Sequence, residues 1–178
     1  MTTGVTQAAG VTAIPAGTAG IGSVYGSFQD STTQTGSTTA GVAFTFNGDD
    51  FGGAGGITLV SGSRIKVPAT GIYNFQFSAQ FSSLDNASTD VWVWVKKNGT
   101  ADIAGTTGLV GMMPRKSAGV SSHVVPAWNY FLSLNANDYI ELYWLKETTN
   151  ITLTAFAAST SPAYPATPSI IATINQIG

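Results

Sequence analysis

The sequence predicts an all-β fold, a sandwich or barrel of about ten short strands. Three observations carry this: no segment shows helical periodicity, apolar and polar residues alternate in short runs, and clusters rich in Gly, Ser, Asn or Pro separate those runs at near-even spacing. The clearest run is Ile72 to Ser82. It sets Tyr73, Phe75, Phe77, Ala79 and Phe81 on one parity and Ile72, Asn74, Gln76, Ser78 and Gln80 on the other, so one face is aromatic and core-directed.

Residues 1–21 are rich in Gly, Thr and Ala, lack any periodicity and are read as an extended N-terminal arm. Residues 22–178 are read as one domain, since a split would leave two marginal cores. Short strands are expected at Ser23 to Asp30, Val42 to Phe46, Ile57 to Val60 and Arg64 to Val67, the last two joined by Ser61-Gly62-Ser63. After the long strand, Ser83 to Ser88 turns the chain into Asp90 to Lys97, and Asn98-Gly99 carries the signature of a primed hairpin turn. Residues 100–121 are expected to hold one weak strand and a long loop. Ser122 to Leu134 reads as a strand broken near Pro126, followed by the turn Asn135 to Asp138 and a strand Tyr139 to Lys146. Ile151 to Ala157 and Ile170 to Ile177 complete the set, with a Pro-rich loop from Ser161 to Pro168 between them.

Parity then assigns the faces. Val91, Val93 and Val95 point inward and Trp92 and Trp94 outward; Ile140, Leu142 and Trp144 oppose Tyr139, Glu141 and Tyr143. The expected core therefore comprises Tyr73, Phe75, Phe77, Phe81, Val91, Val93, Val95, Leu132, Leu134, Ile140, Leu142 and Trp144. The strands around Trp92 and Glu141 show charges on their outer faces and are expected to meet water. The second face of the long strand, Ile72, Asn74, Gln76, Ser78 and Gln80, has no charge, and Asn129, Phe131 and Ser133 repeat that character. Interfaces deplete charge, so these eight residues are the candidate subunit contact.

Charged residues are few, seven basic and nine acidic, and all lie between Asp30 and Glu147. The charge-free ends are expected to be covered by a partner. A net charge of −2 with no basic cluster excludes an electrostatic footprint for nucleic acid. The first residues lack a secretory signal pattern and no apolar stretch is long enough to span a bilayer as a helix, so neither secretion by that route nor membrane insertion is expected. With no cysteine, disulfides and thiolate metal sites are excluded.

The search for chemistry returns little. His123, the only histidine, has no Ser or Asp that spacing places with it. Asp49-Asp50, and Asp85-Asn86 near Asp90, are oxygen donors of the kind calcium takes, but they lack an alternating ligand loop and read better as solvated turn acids. Gly52 to Gly56 lacks the Lys-Ser/Thr ending of a phosphate loop. No catalytic set, metal or cofactor is expected. The outward Trp92 and Trp94 are candidate partner or ligand contacts, read as interface or strand-face packing ahead of carbohydrate stacking.

The order Thr70-Gly71-Ile72-Tyr73-Asn74-Phe75, Val91-Trp92-Val93 through Lys97-Asn98-Gly99, then Leu132-Ser133-Leu134 through Asn137-Asp138-Tyr139-Ile140-Glu141-Leu142 resembles the jelly-roll domain shared by complement globular heads and tumour necrosis factor ligands. Two departures stand out: Asn137-Asp138 replaces the usual Gly-Asp turn, and Ser169 to Ile174 replaces the Gly-aromatic closing strand. The resemblance implies a jelly-roll β-sandwich over roughly residues 22–177 and a homotrimer formed by one sheet of each copy. The phrase Tyr25-Gly26-Ser27-Phe28-Gln29-Asp30 and the ending Pro168-Ser169-Ile170-Ile171 look like those of bacteriophage virion proteins with this fold. The expectation is a non-enzymatic trimeric decoration or cement protein on the virion surface, docked by its arm onto the major capsid protein. The alternative is a receptor-binding tip of a tail fibre or spike, with Trp92, Trp94 and the loop Gly108 to Gly119 facing a host glycan.

Overall fold

A computed structural model describes residues 24–178, and the expected arm at residues 1–21 lies outside the described residues. The described chain is all-β, a jelly-roll sandwich. Its strands are β1 (Tyr25–Asp30), β2 (Val42–Ala43), β3 (Gly48–Asp49), β4 (Thr58–Val60), β5 (Arg64–Lys66), β6 (Gly71–Ala79), β7 (Phe81–Ser83), β8 (Thr89–Lys97) and β9 (Ala101–Asp102). The second half supplies β10 (Gly108–Met112), β11 (Ser122–Val124), β12 (Ala127–Leu134), β13 (Tyr139–Lys146), β14 (Ile151–Leu153), β15 (Ser159–Thr160), β16 (Ala163–Tyr164) and β17 (Ile170–Gln176).

One main sheet runs β12-β6-β17-β1-β3 and the other β10-β8-β13-β5-β4, with β2 added to β13 and β9 to β8. Consecutive long strands cross between the sheets: β5 to β6, β6 to β8, β10 to β12, β12 to β13. The last strand, β17, lies between β1 and β6, which is the closure a jelly roll requires. The altered sequence Ser169 to Ile174 thus still fills the closing position. It alternates Ile170, Ala172 and Ile174 inward, all buried.

Among the described residues seventeen segments stand where about ten are expected, because expected strands divide and short pairs form at β3, β9, β15 and β16 in stretches read as loops. The long run at Ile72 to Ser82 is two strands with a joint at Gln80. Residues 71–79 stay in the main sheet, while Phe81–Ser83 becomes the middle of a small sheet, β11-β7-β14. Gln80 bridges the change, its N–H donating to Ser169 O and its carbonyl accepting from Thr154 N–H. Val42 to Phe46 pairs only at Val42–Ala43, since one edge of β13 is shared between β2 and β5.

The core lies between the two main sheets. Tyr73, Phe75, Phe77, Phe81, Val91, Val93, Val95, Leu132, Leu134, Ile140, Leu142 and Trp144 are all buried there. Trp144 is its hub, with ring centroids 5.7 Å from Phe44 and 5.4 Å from Phe81. The Tyr73 hydroxyl donates to Ala69 O at 2.7 Å, which removes the cost of burying its polar end.

Two turns at one pole rest on left-handed asparagines. Asn98 (φ 52°) and Gly99 (φ 73°) form the expected hairpin turn, and Asn137 (φ 69°) takes the position of the replaced glycine. Asn98 Nδ2 donates to Asp138 Oδ1 and Tyr139 N–H donates to Asn98 Oδ1, so the two turns brace each other.

Candidate interface on the five-stranded sheet

The register places the outward side chains of four strands in rows. Phe131, Asn74, Asn175 and Tyr25 stand side by side; so do Asn129, Gln76, Thr173 and Ser27, and then Ala127, Ser78, Ile171 and Gln29. Ser133 and Ile72 begin a further row. None of these residues is buried and none is charged. The face is therefore a continuous neutral surface four strands wide.

Its apolar content is high. Phe131 is 69% exposed, Ile171 41%, Ile72 39% and Tyr25 37%. Beneath Phe131, Asn74 Oδ1 is shielded from solvent and accepts no hydrogen bond among the described residues. The expected set Ile72, Asn74, Gln76, Ser78, Asn129, Phe131 and Ser133 thus shares one face. Gln80 does not belong to it, because the strand leaves this sheet at that residue. Sequence reasoning missed Tyr25, Ile171, Thr173 and Asn175, although the alternation of Ile170 to Ile174 carried the signal.

Charge collects at the rims. Beside β1, Asp50 accepts from Ser27 Oγ at 2.6 Å and from Gln29 Nε2 at 3.3 Å, and the exposed Phe51 ring meets Tyr25 edge-on at 4.9 Å. Beyond β12, a groove of about 330 Å³ is lined by Lys97, Ala101, Asp102, Ile103, Phe131 and Ser133. One rim carries Asp50, the other a groove flanked by both a lysine and an aspartate.

The opposite sheet is built differently. Trp94 is half-buried: its Nε1–H donates to Asp102 Oδ1 at 2.8 Å, its ring tilts against Tyr143, and a Cβ on Gly41 would lie 2.2 Å from it. Trp92, also half-buried, stands between Leu109 and Leu145 on the neighbouring strands. Trp94 is thus engaged by its own chain.

The expectation that this outer face meets water needs correction at Glu141, which is buried; Lys146, on the inward parity of β13, is buried as well. Glu141 Oε1 accepts from Ser63 Oγ at 2.7 Å and lies 3.6 Å from Arg64 Nε. Lys146 Nζ donates to the carbonyls of Thr149 and Ile151, and burial holds its pKa below the usual lysine range.

The other singled-out acids are spent within the chain. Asp49 Oδ1 accepts from Phe51 N–H. Asp85 is partly desolvated, which would raise its pKa, but hydrogen bonds from Asn150, Thr148 and Ser83, with Arg115 nearby, together hold it below the usual range. Among the described residues no three His, Asp or Glu side chains gather in a way that could hold a metal ion. His123, unplaced by sequence spacing, sits with Nδ1 2.9 Å from Ser82 Oγ.

No protein-family profile and no curated protein matches the sequence. Among solved structures, the chain is similar to the globular domain of the zebrafish complement 1qA protein, at 11% identity and a TM-score of 0.48. The likeness covers 87% of this chain and 98% of that one.

Proposed function

We propose that this chain is a non-enzymatic structural protein that closes into a homotrimer through the outer face of its five-stranded sheet. The trimer decorates a phage capsid, and residues 1–21 dock it onto the major capsid protein. The observation that carries the self-association is the uncharged four-strand face with Phe131, Ile171, Ile72 and Tyr25 exposed on it. Soluble surfaces rarely leave so wide an area without charge unless something covers it. A three-fold ring joins two different surfaces of each copy. The rim at Asp50 and the groove beyond β12, which holds both Lys97 and Asp102, give the two sides different surfaces. The virion assignment is supported by the likeness of the segments Tyr25 to Asp30 and Pro168 to Ile171 to phage structural proteins.

Sedimentation velocity tests the assembly, and co-sedimentation with capsids tests the docking. The full chain is expected to sediment as a trimer and to bind capsids, and deleting residues 1–21 is expected to keep the trimer and lose the binding. Gln76→Lys and Asn129→Asp, each placing a charge in the middle of the neutral face, are expected to yield monomers. A monomeric parent, or charge variants that stay trimeric, would refute the interface.

A further inference from the structure

The pole at which β6 ends is closed by the small sheet β11-β7-β14, and the register sets His123, Ser82 and Thr152 in one row across it. Ser82 Oγ lies 2.9 Å from His123 Nδ1, and Thr152 Oγ1 lies 2.8 Å from Thr154 Oγ1. A groove of about 290 Å³ opens beside this row, walled by Ser121 and Asn150 on the polar side and by Phe156 and Leu84 on the apolar side. The Phe156 ring stands edge-on to His123 at 5.3 Å. No residue lining the groove is charged.

A Ser–His pair invites a nucleophilic reading, and the chemistry rejects it. Among the described residues no carboxylate accepts a hydrogen bond from His123. Ser82 lies on the middle strand of its sheet, so its neighbouring backbone N–H groups serve the ladder and are not free to hold an oxyanion. What the groove offers is recognition.

Hydroxyls and a carboxamide each donate and accept, and with His123 Nδ1 held by Ser82 Oγ one imidazole nitrogen remains. Partial desolvation of the otherwise exposed ring, with the Lys116 charge adding to it, lowers the His123 pKa and favours the neutral form. The complementary ligand is uncharged, rich in groups that both donate and accept, and possesses an apolar face for Phe156. We propose that this groove binds a neutral sugar, a single pyranose unit of a glycan, with its hydroxyls over Ser82, Thr152 and Asn150, beside His123, and its C–H face on Phe156. The volume agrees with one ring, being near the lower end of the roughly 300–1,000 Å³ of ligand clefts.

The position suits display. Val24 and Gly178 lie at the other pole, where Gln176 N–H donates to Val24 O and Ile72 N–H to Gly178 O. Nine residues of β6 separate the poles, roughly 30 Å at about 3.3 Å per residue. The groove is also off the neutral sheet face, so it stays open in the trimer and does not depend on it.

Saturation-transfer NMR on the full chain, with the methyl glycosides of glucose, galactose, mannose and N-acetylglucosamine as probes, tests the site. At least one is expected to receive saturation and to shift the His123 imidazole resonances. Phe156→Ala, at an exposed position, and Thr152→Val are each expected to weaken that glycoside at least tenfold while sedimentation stays unchanged. Silence from all four glycosides, or binding that survives both substitutions, would overturn the proposal. A parallel Trp92→Ala variant is expected to bind as the parent does; loss there would move the site to the other sheet.

Discussion

Phe131→Ala separates assembly from folding. Phe131 is 69% exposed, and a phenylalanine offers about 200 Å², so about 140 Å² of it is open in the single chain. Covering that area contributes up to about 3.5 kcal/mol at about 25 cal/mol per Å². Alanine retains part of the contact, which leaves a loss of about 2–3 kcal/mol at each subunit contact. That is about a 30- to 150-fold weakening per contact. A closed ring of three loses it three times. The ring is on the outside of β12, so the stability of the monomer should change by less than about 0.5 kcal/mol. A dilution series followed by mass photometry reads the assembly, and urea unfolding of the dissociated chain reads the fold. If the variant dissociates at the same concentration as the parent, Phe131 is not at the contact; if its monomer is clearly destabilised, the ring packs within its own chain and the reasoning fails.

Further outcomes follow from contacts within the chain. Gly41→Ala would drive a Cβ to within 2.2 Å of the Trp94 ring; an expected loss of about 1–3 kcal/mol, with altered tryptophan fluorescence, is read by thermal unfolding. Asp85 has its folded pKa lowered, so it contributes stability above its unfolded pKa near 3.8 that disappears as pH falls through the folded value. Asp85→Asn should therefore be less acid-sensitive than the parent in urea titrations across that range. Lys146 has the opposite sign: with its folded pKa below 10.5, the unfolded chain holds the proton more tightly, so stability should rise with pH between the folded value and 10.5. Lys146→Met, measured beside the parent at alkaline pH, should lack that rise.

The parity of Ile72 to Phe81 is legible because a strand between two unlike environments must alternate, and the same holds for Val91 to Val95 and for Ile140 to Trp144. Core and neutral face were therefore readable together. Gln80 was not, because Phe81 keeps the inward parity and only the pairing partners reveal that the strand has changed sheets. Glu141 reads as wet when charge is taken for exposure; Ser63 and Arg64 satisfy it out of water, and no local pattern announces a partner 78 residues away. The Ser82–His123 pair is of the same kind, brought together across 41 residues by the pairing of β7 with β11.

The place of β17 governs when the molecule can exist at all. Its residues 170–175 pair with residues 25–30 and, on the other side, with β6. As the chain lengthens, the strand that joins β1 to β6 is made after both, so each keeps an unpaired edge until residues 170–176 are available. Contacts of such long sequence separation fold slowly, and open strand edges invite aggregation. A chain cut before Ile170 would leave the sheet in two pieces, not merely frayed, and nascent chains should gain protease resistance only once residues 170–176 have emerged from the ribosome.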